Sequence, residues 1–354
     1  MPLRLAGRRG EAGAREQGAW DRTVSVMRQT QTRVDPHRAQ ELRTIIAVAR
    51  GAPSVHNTQP WRWRIDGRVL ELRADRSRQL MVADPVARNL TISCGCALHH
   101  AEVAASALGW RASVEMLPER VDHDLLARLH LAPDEVPADS DEVLRNIDER
   151  RTDRRRFTNW PVPPERLHHL AAEGSRWGAD VFVLTDLTQR WRVEGLVDRA
   201  TAAQDQDHRF AAEQQAWTDR GPIDGIPGMA LADGLERGAG LRTRFTPRLT
   251  QTTDRTIEGS DGLILIGTTS DGPRSWLHTG QALSALWLAA TAGGLSVVPL
   301  SQVTELNATR LALRYDVMYG STEPQILARL GWQEMGRAEL QPTPRRPLDD
   351  IIDE

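Results

Sequence analysis

Ala52-Pro53-Ser54-Val55-His56-Asn57-Thr58-Gln59-Pro60-Trp61 sets a serine, an asparagine and a glutamine on a short loop bounded by prolines. Asn and Gln each carry one amide acceptor and two amide donors. Such a pair suits a flat heterocycle with alternating carbonyl and N–H groups. The same residue types also build purely structural loops, in which their side chains cap nearby backbone. Both readings stay open on the loop alone.

The flanking sequence gives the loop a setting. Asp35-Pro36 reads as an N-cap and first-turn proline. Leu42, Ile45, Ile46 and Ala49 then fall on one helical face, and Gly51 ends the pattern. After the loop, Trp61, Trp63 and Ile65 alternate with Arg62 and Arg64. Asp66-Gly67 then turns the chain into Val69–Ala74, a hairpin pattern. A long helix of small residues is expected over roughly Asn89 to Leu108.

A second copy of this plan follows. Gly95, Ala97, Leu98, Ala104, Ala105, Ala107 and Gly109 recur as Gly280, Ala282, Leu283, Ala289, Ala290, Ala292 and Gly294, each at an offset of 185 residues. Leu42-Arg43-Thr44-Ile45 opens the first half and Leu144-Arg145-Asn146-Ile147 the second. The order implies an ancient duplication.

Arg150-Arg151-Thr152-Asp153-Arg154-Arg155-Arg156-Phe157 is the second strong signal. Charge runs usually lie on solvated faces, but five arginines so close together repel one another unless an anion or carboxylates neutralise them. The chain contains no lysine, so a Schiff-base or phosphate-loop lysine is excluded and any anion site must use arginine, histidine or backbone N–H groups.

The Ala-Pro-Ser-x-x-Asn-x-Gln-Pro-Trp run resembles the signature of the nitroreductase-like flavoproteins, and its His56, Thr58 and Trp61-Arg62-Trp63 resemble the Acg-type branch. The likeness runs from about Asp35 to the C-terminus. It implies an α+β, nitroreductase-like fold in which two fused homologous halves form a pseudo-dimer within one chain, with FMN as cofactor. It implies that Ser54, Asn57, Gln59 and Trp61 contact the flavin ring. Arg150, Thr152 and Arg154 match the family's Arg-Arg-Ser-x-Arg run, the first at the flavin phosphate and the others along the ribityl chain and ring edge. Gly294-Leu295-Ser296-Val297-Val298-Pro299-Leu300-Ser301 resembles the family's strand and loop at the reactive N5. There Pro299, Leu300 and Ser301 are candidates, while an ordinary buried strand is the other reading. Arg345, with Arg346 as second choice, resembles the terminal phosphate clamp. No catalytic side chain is expected, because N5 carries the chemistry.

The first half has no arginine cluster on its own helix, only Ile46-Ala47-Val48-Ala49-Arg50. The second half replaces the Asn-Thr-Gln-Pro-Trp loop with Thr158-Asn159-Trp160-Pro161. One complete site built from both halves is therefore expected. The implied domains are a disordered extension over 1–34, a first half over 35–140, and a second half over 141–354 with a lid insertion at about 201–260. Trp191, Trp217 and Met229 are the lid's expected apolar anchors. Met27 is an alternative start.

Two cysteines, Cys94 and Cys96, read as small buried helix residues. The pairs His99-His100 and His168-His169 make no metal site, because adjacent helical positions face different ways. The net charge of −3 and the absence of any apolar run near about 18 residues point away from nucleic-acid and membrane partners. A cytoplasmic monomer or weak homodimer is expected, with a small-molecule electron acceptor as partner. The implied function is NAD(P)H-dependent reduction of nitroaromatic or quinone-like acceptors. The alternative is an FMN storage or sequestering protein whose lid covers the flavin.

Overall fold

A computed structural model describes residues 36–218, 220–226, 257, 259–336 and 341–353, with side chains from residue 39 onward. The expected 1–34 extension, Met27, Met229 and most of the central part of the expected lid lie outside the described residues.

Helix α1 (Pro36–Ala49) buries Ile45, Ile46 and Ala49. Strands β1 (Trp61–Asp66) and β2 (Val69–Ala74) pair antiparallel around Asp66-Gly67, where Gly67 takes the left-handed backbone, φ +60°, that a tight hairpin turn demands. Helix α2 (Arg88–Ala107) follows, then β3 (Trp110–Met116) and β4 (Leu125–Pro133). Next come α3 (Ser140–Glu149), α4 (Pro164–Ser175), β5 (Asp180–Val183), α5 (Leu187–Gln206) and α6 (His208–Ala216). The chain then forms β6 (Gly262–Thr268), α7 (Pro273–Ala292), β7 (Leu295–Leu300), α8 (Gln302–Glu305) and α9 (Asn307–Ala312). A π-helical turn at Leu313–Val317 leads to β8 (Glu323–Trp332) and the short β9 (Ile352–Asp353).

Two mixed sheet-and-helix assemblies result, an α+β fold. The first sheet runs β3-β4-β2-β1-β9, antiparallel except that β9 joins β1 in parallel. The second runs β5-β6-β8-β7, antiparallel throughout. Every residue of β6 is buried, so it reads as a continuous apolar run and not as an alternating one. Leu263, Leu265, Val298 and Leu327 of this sheet pack with Val193, Leu196, Val197 and Ala200 of α5. Each such side chain removed from water contributes about 1.5–3 kcal/mol.

Helices α2 and α7 cross at the centre, and glycine is what lets them do so. A Cβ on Gly95 would lie 2.3 Å from the carbonyl oxygen of Leu277, and one on Gly280 would lie 2.0 Å from that of Ile92. Nothing larger fits without parting the backbones. One turn away, His99 and His100 both place Nδ1 at 2.8 Å from the Ser284 hydroxyl oxygen. Burial pushes the His99 imidazole down to about 3 and the His100 imidazole well below its ordinary range, so both are neutral. The paired histidines are core residues, as their helical setting implied. Cys94 and Cys96 are buried free thiols, while His168 and His169 are exposed on α4.

The tryptophans of the 191–217 stretch separate. Trp217 is buried with Leu80 and Ala83, against Val55 and Phe210. Trp191 is 72% exposed and anchors nothing, because α5 turns the Val193, Leu196, Val197, Ala200 stripe inward and leaves residue 191 off it.

Candidate functional site

The loop after α1 is strained. His56, Asn57 and Gln59 adopt φ of 47°, 52° and 49°, a region that non-glycine residues rarely enter. Such conformations cluster at functional sites and persist only where surrounding contacts impose them. Here the Ser54 hydroxyl accepts the Gln59 N–H at 3.0 Å, and the Val55 N–H donates to the Ser93 hydroxyl of α2 at 3.1 Å. The Asn57 amide donates to the carbonyls of Gly225, at 2.9 Å, and Pro344, at 3.0 Å. The Gln59 amide donates to the Ile223 carbonyl at 2.9 Å and accepts the Arg346 N–H at 2.9 Å.

Asn57 and Gln59 therefore clamp the loop to the 223–225 and 344–346 segments, and their amides are spent inside the protein. The expectation set these two residues against a ligand ring; in the structure their amides face the 223–225 and 344–346 segments. Trp61 is wholly buried in β1 and does not line the cleft. Arg346 is buried too, donating to the Gln59 and Trp61 carbonyls and pairing with Asp75 at 3.3 Å. It holds the loop in place and does not reach the cleft.

The opposite side of the loop, Pro53 to His56, lines a cleft of about 740 Å³ of open space, mouth included. Helix α2 contributes Asn89, Ile92, Ser93 and Cys96, and α7 contributes Leu283 and Trp287. The segment after α3 brings Thr152 and Arg154, and the end of β7 brings Val298, Pro299, Leu300 and Ser301. Of the twelve expected residues, the structure gathers Ser54, Thr152, Arg154, Pro299, Leu300 and Ser301 here. Sequence reading missed the α2 and α7 side chains. Trp287, set among the alanines near the end of α7, was the available signal.

Arg150 lies behind the Trp287 wall, its guanidinium 4.7 Å from the ring centre. It is 3% exposed, and its one hydrogen bond, to the Gly51 carbonyl at 3.2 Å, leaves Nε and Nη1 without partners. Burial, then the charge of Arg345, depresses its pKa to about 9. Arg345 donates to the Arg50 and Gly51 carbonyls and to Asn57 Oδ1. Burial, then the charges of Arg151 and Arg50, lowers its pKa to about 10. Among the described residues no carboxylate pairs with either. Within the run Asp153 pairs with Arg155 at 2.8 Å, while Arg151 donates only to the uncharged backbone carbonyl of Asp148. The site thus concentrates buried positive charge that lacks its counter-charge, a large cost unless an anion is bound.

The nitroreductase family model matches residues 147–318, beginning at the arginine run. A Mycobacterium tuberculosis protein named "Putative NAD(P)H nitroreductase Rv3131" is 36% identical over 321 residues, 89% of this chain and 92% of that one. The chain belongs to the nitroreductase family. A second M. tuberculosis relative, "Putative NAD(P)H nitroreductase acg", is 30% identical over 318 residues, 88% of this chain and 95% of its own length. Among solved structures, the FMN-dependent nitroreductase NfnB from Mycobacterium smegmatis in complex with NADPH is 16% identical, with a TM-score of 0.39, covering 58% of this chain and 94% of that one.

Proposed function

We propose that this protein binds one FMN in the cleft between its two sheet assemblies and uses NAD(P)H to reduce nitroaromatic or quinone-like acceptors. The observation that carries this reading is the buried Arg150–Arg345 pair, two cations with no carboxylate partner among the described residues, beside an apolar cleft. A phosphate monoester supplies the missing charge, and paired guanidinium N–H groups match its oxygens. Trp287, Leu283 and Ile92 suit a flat tricyclic ring, while Thr152 and Arg154 suit a hydroxylated chain. Bound FMN would supply hydride chemistry at N5. The protein's part is to hold it, with Ser54 to His56 on one side and Pro299 to Ser301 on the other, and to keep water from its buried phosphate end. No side chain need move a proton.

The same reading includes the duplication. The sheet orders β3-β4-β2-β1 and β7-β8-β6-β5 have the same pairings, and each central helix connects its sheet's third- and first-placed strands. Gly95 meets the Leu277 carbonyl while Gly280 meets the Ile92 carbonyl, a reciprocal contact at the 185-residue offset, as a two-fold interface requires. On this reading 35–140 and 141–354 are two nitroreductase-like halves. The C-terminal stretch of the second reaches back to add β9 and Arg345 to the first, so the chain needs no partner subunit.

The flavin-sequestering alternative requires the 201–260 insertion to cover the flavin. Among the described residues none of that stretch lines the cleft. Its described part is fastened to the loop side instead, where Glu213 accepts the Val82 and Ala83 N–H groups and Trp217 stacks between Arg78 and Arg220. Mass spectrometry of the released cofactor tests the binding: FMN supports it, and FAD or a protein that ignores added FMN defeats it. Stopped-flow bleaching of the flavin band separates the functions. Fast reduction by NADPH supports the reductase, and reduction by dithionite alone supports sequestration.

A further inference from the structure

The sequence holds only two tyrosines, Tyr315 and Tyr319, and the fold exposes both, by 57% and 73%, on the wall of one cleft. The cleft holds about 670 Å³ of open space and shares no lining residue with the flavin cleft. Its other wall is α5, where Arg192 and Arg199 flank Leu196. The arginines lie two turns apart, about 10 Å along the helix axis. Arg192 donates to the Asp316 carbonyl at 2.9 Å and Arg199 to the Gly195 carbonyl at 3.3 Å. Neither pairs with a carboxylate among the described residues.

The backbone is arranged to present these groups. The π-helical turn at Leu313–Val317 keeps Leu313, Val317 and Met318 in the core and turns the intervening residues outward. Single π turns recur at functional sites. Tyr319 then takes a left-handed φ of 54°, followed by Gly320 at 75°. Arg314, held by Glu323, lies 5.4 Å over the Tyr315 ring and fixes it. Two exposed aromatic rings opposite two guanidinium groups held only by backbone carbonyls suit an aromatic ring that carries an anionic group, and the Asp316 carboxylate on the same lining can accept hydroxyl or amino hydrogens. We propose that the Tyr315–Tyr319–Arg192–Arg199 cleft is a binding site for a nucleoside phosphate.

Calorimetric titration of the full-length, flavin-saturated protein with AMP, adenosine and inorganic phosphate tests this. AMP should bind more tightly than either fragment. Arg199→Gln should weaken AMP at least about tenfold while leaving adenosine unchanged, and Tyr315→Ala should weaken both. Tyr315→Phe should retain binding, which keeps the test interpretable if Tyr315→Ala fails to fold. Absence of AMP binding at millimolar concentration overturns the proposal. So does AMP binding that none of these variants alters, or phosphate binding as tight as AMP.

Discussion

Replacing Arg150 with methionine should move stability and cofactor affinity in opposite directions. In the flavin-free protein Arg150 is a buried cation with no carboxylate partner among the described residues. The gap between its ordinary pKa of 12.5 and about 9 corresponds to roughly 5 kcal/mol of penalty on the charged form, at about 1.36 kcal/mol per pKa unit. Methionine loses the hydrogen bond to the Gly51 carbonyl, worth about 1.5–3 kcal/mol for a charged donor, and the stacking on Trp287, worth about 1 kcal/mol. A net gain of about 1–2 kcal/mol remains for the apo-protein, seen as a Tm a few degrees higher. With FMN the order should reverse. Loss of the phosphate contact should weaken binding about tenfold to a hundredfold, whereas the wild type at a hundredfold excess over Kd gains about 2.7 kcal/mol. Calorimetric melting of both proteins across an FMN titration should therefore give curves that cross. An apo-variant less stable than wild type, with unchanged FMN affinity, would mean that Arg150 is a structural residue and that the anion reading is mistaken.

Asn57→Ala should behave differently, lowering apo-protein stability by about 2–3 kcal/mol because the Gly225 and Pro344 carbonyls and Arg345 lose a partner together. Unchanged apo stability alongside weaker FMN binding would show Asn57 to be a direct ligand. Gly280→Ala should cost at least about 3 kcal/mol in urea unfolding, since its Cβ meets backbone at 2.0 Å, while Gly195→Ala, in open space on α5, should add about 0.5–1 kcal/mol. Equal effects at the two glycines would disprove the close crossing. His99, neutral when folded with its pKa near 3 and ordinary at 6.5 when unfolded, contributes stability that is complete above pH 6.5 and lost as pH falls toward 3. Glu102, raised to about 7 by burial, opposes this between its ordinary 4.5 and 7, so Glu102→Gln should steepen the acid loss. A stability profile that is flat from pH 6.5 to 3 in that variant would contradict the neutral buried histidine.

Helical register was the most legible part of the fold. The small-residue pattern placed α2 within a residue of its observed ends, and the Asp66-Gly67 turn placed the first hairpin. Side-chain direction in the signature loop was not legible. Left-handed departures at His56, Asn57 and Gln59 are held by contacts more than 160 residues away, so local sequence could not say that the amides face inward. The lid anchors show a different limit. Trp191 and Trp217 look alike in composition, yet the Val193, Leu196, Val197, Ala200 spacing already excluded Trp191 from the buried stripe.

The offset that relates the proposed halves also bears on how many flavins they hold. Trp287, which lines the cleft and stacks on Arg150, corresponds at 185 residues to Glu102, and Cys96 corresponds to Gln281. At that second position the Gln281 amide donates to the Glu102 carboxyl at 2.6 Å, and burial raises the acid to about 7. A carboxyl there cannot stack a guanidinium and repels a phosphate when ionised. Trp177 further packs edge-on to His99 at 4.4 Å between ring centres, filling space near the same seam. On the proposed duplication, one half-site keeps the aromatic wall at Trp287, and the other carries Glu102 and Gln281, which satisfy each other. The expected stoichiometry is one FMN per chain in a protein that sediments as a monomer. Light scattering combined with flavin absorbance measures both quantities, and two flavins per chain would show that Glu102 and Gln281 do not close the second site.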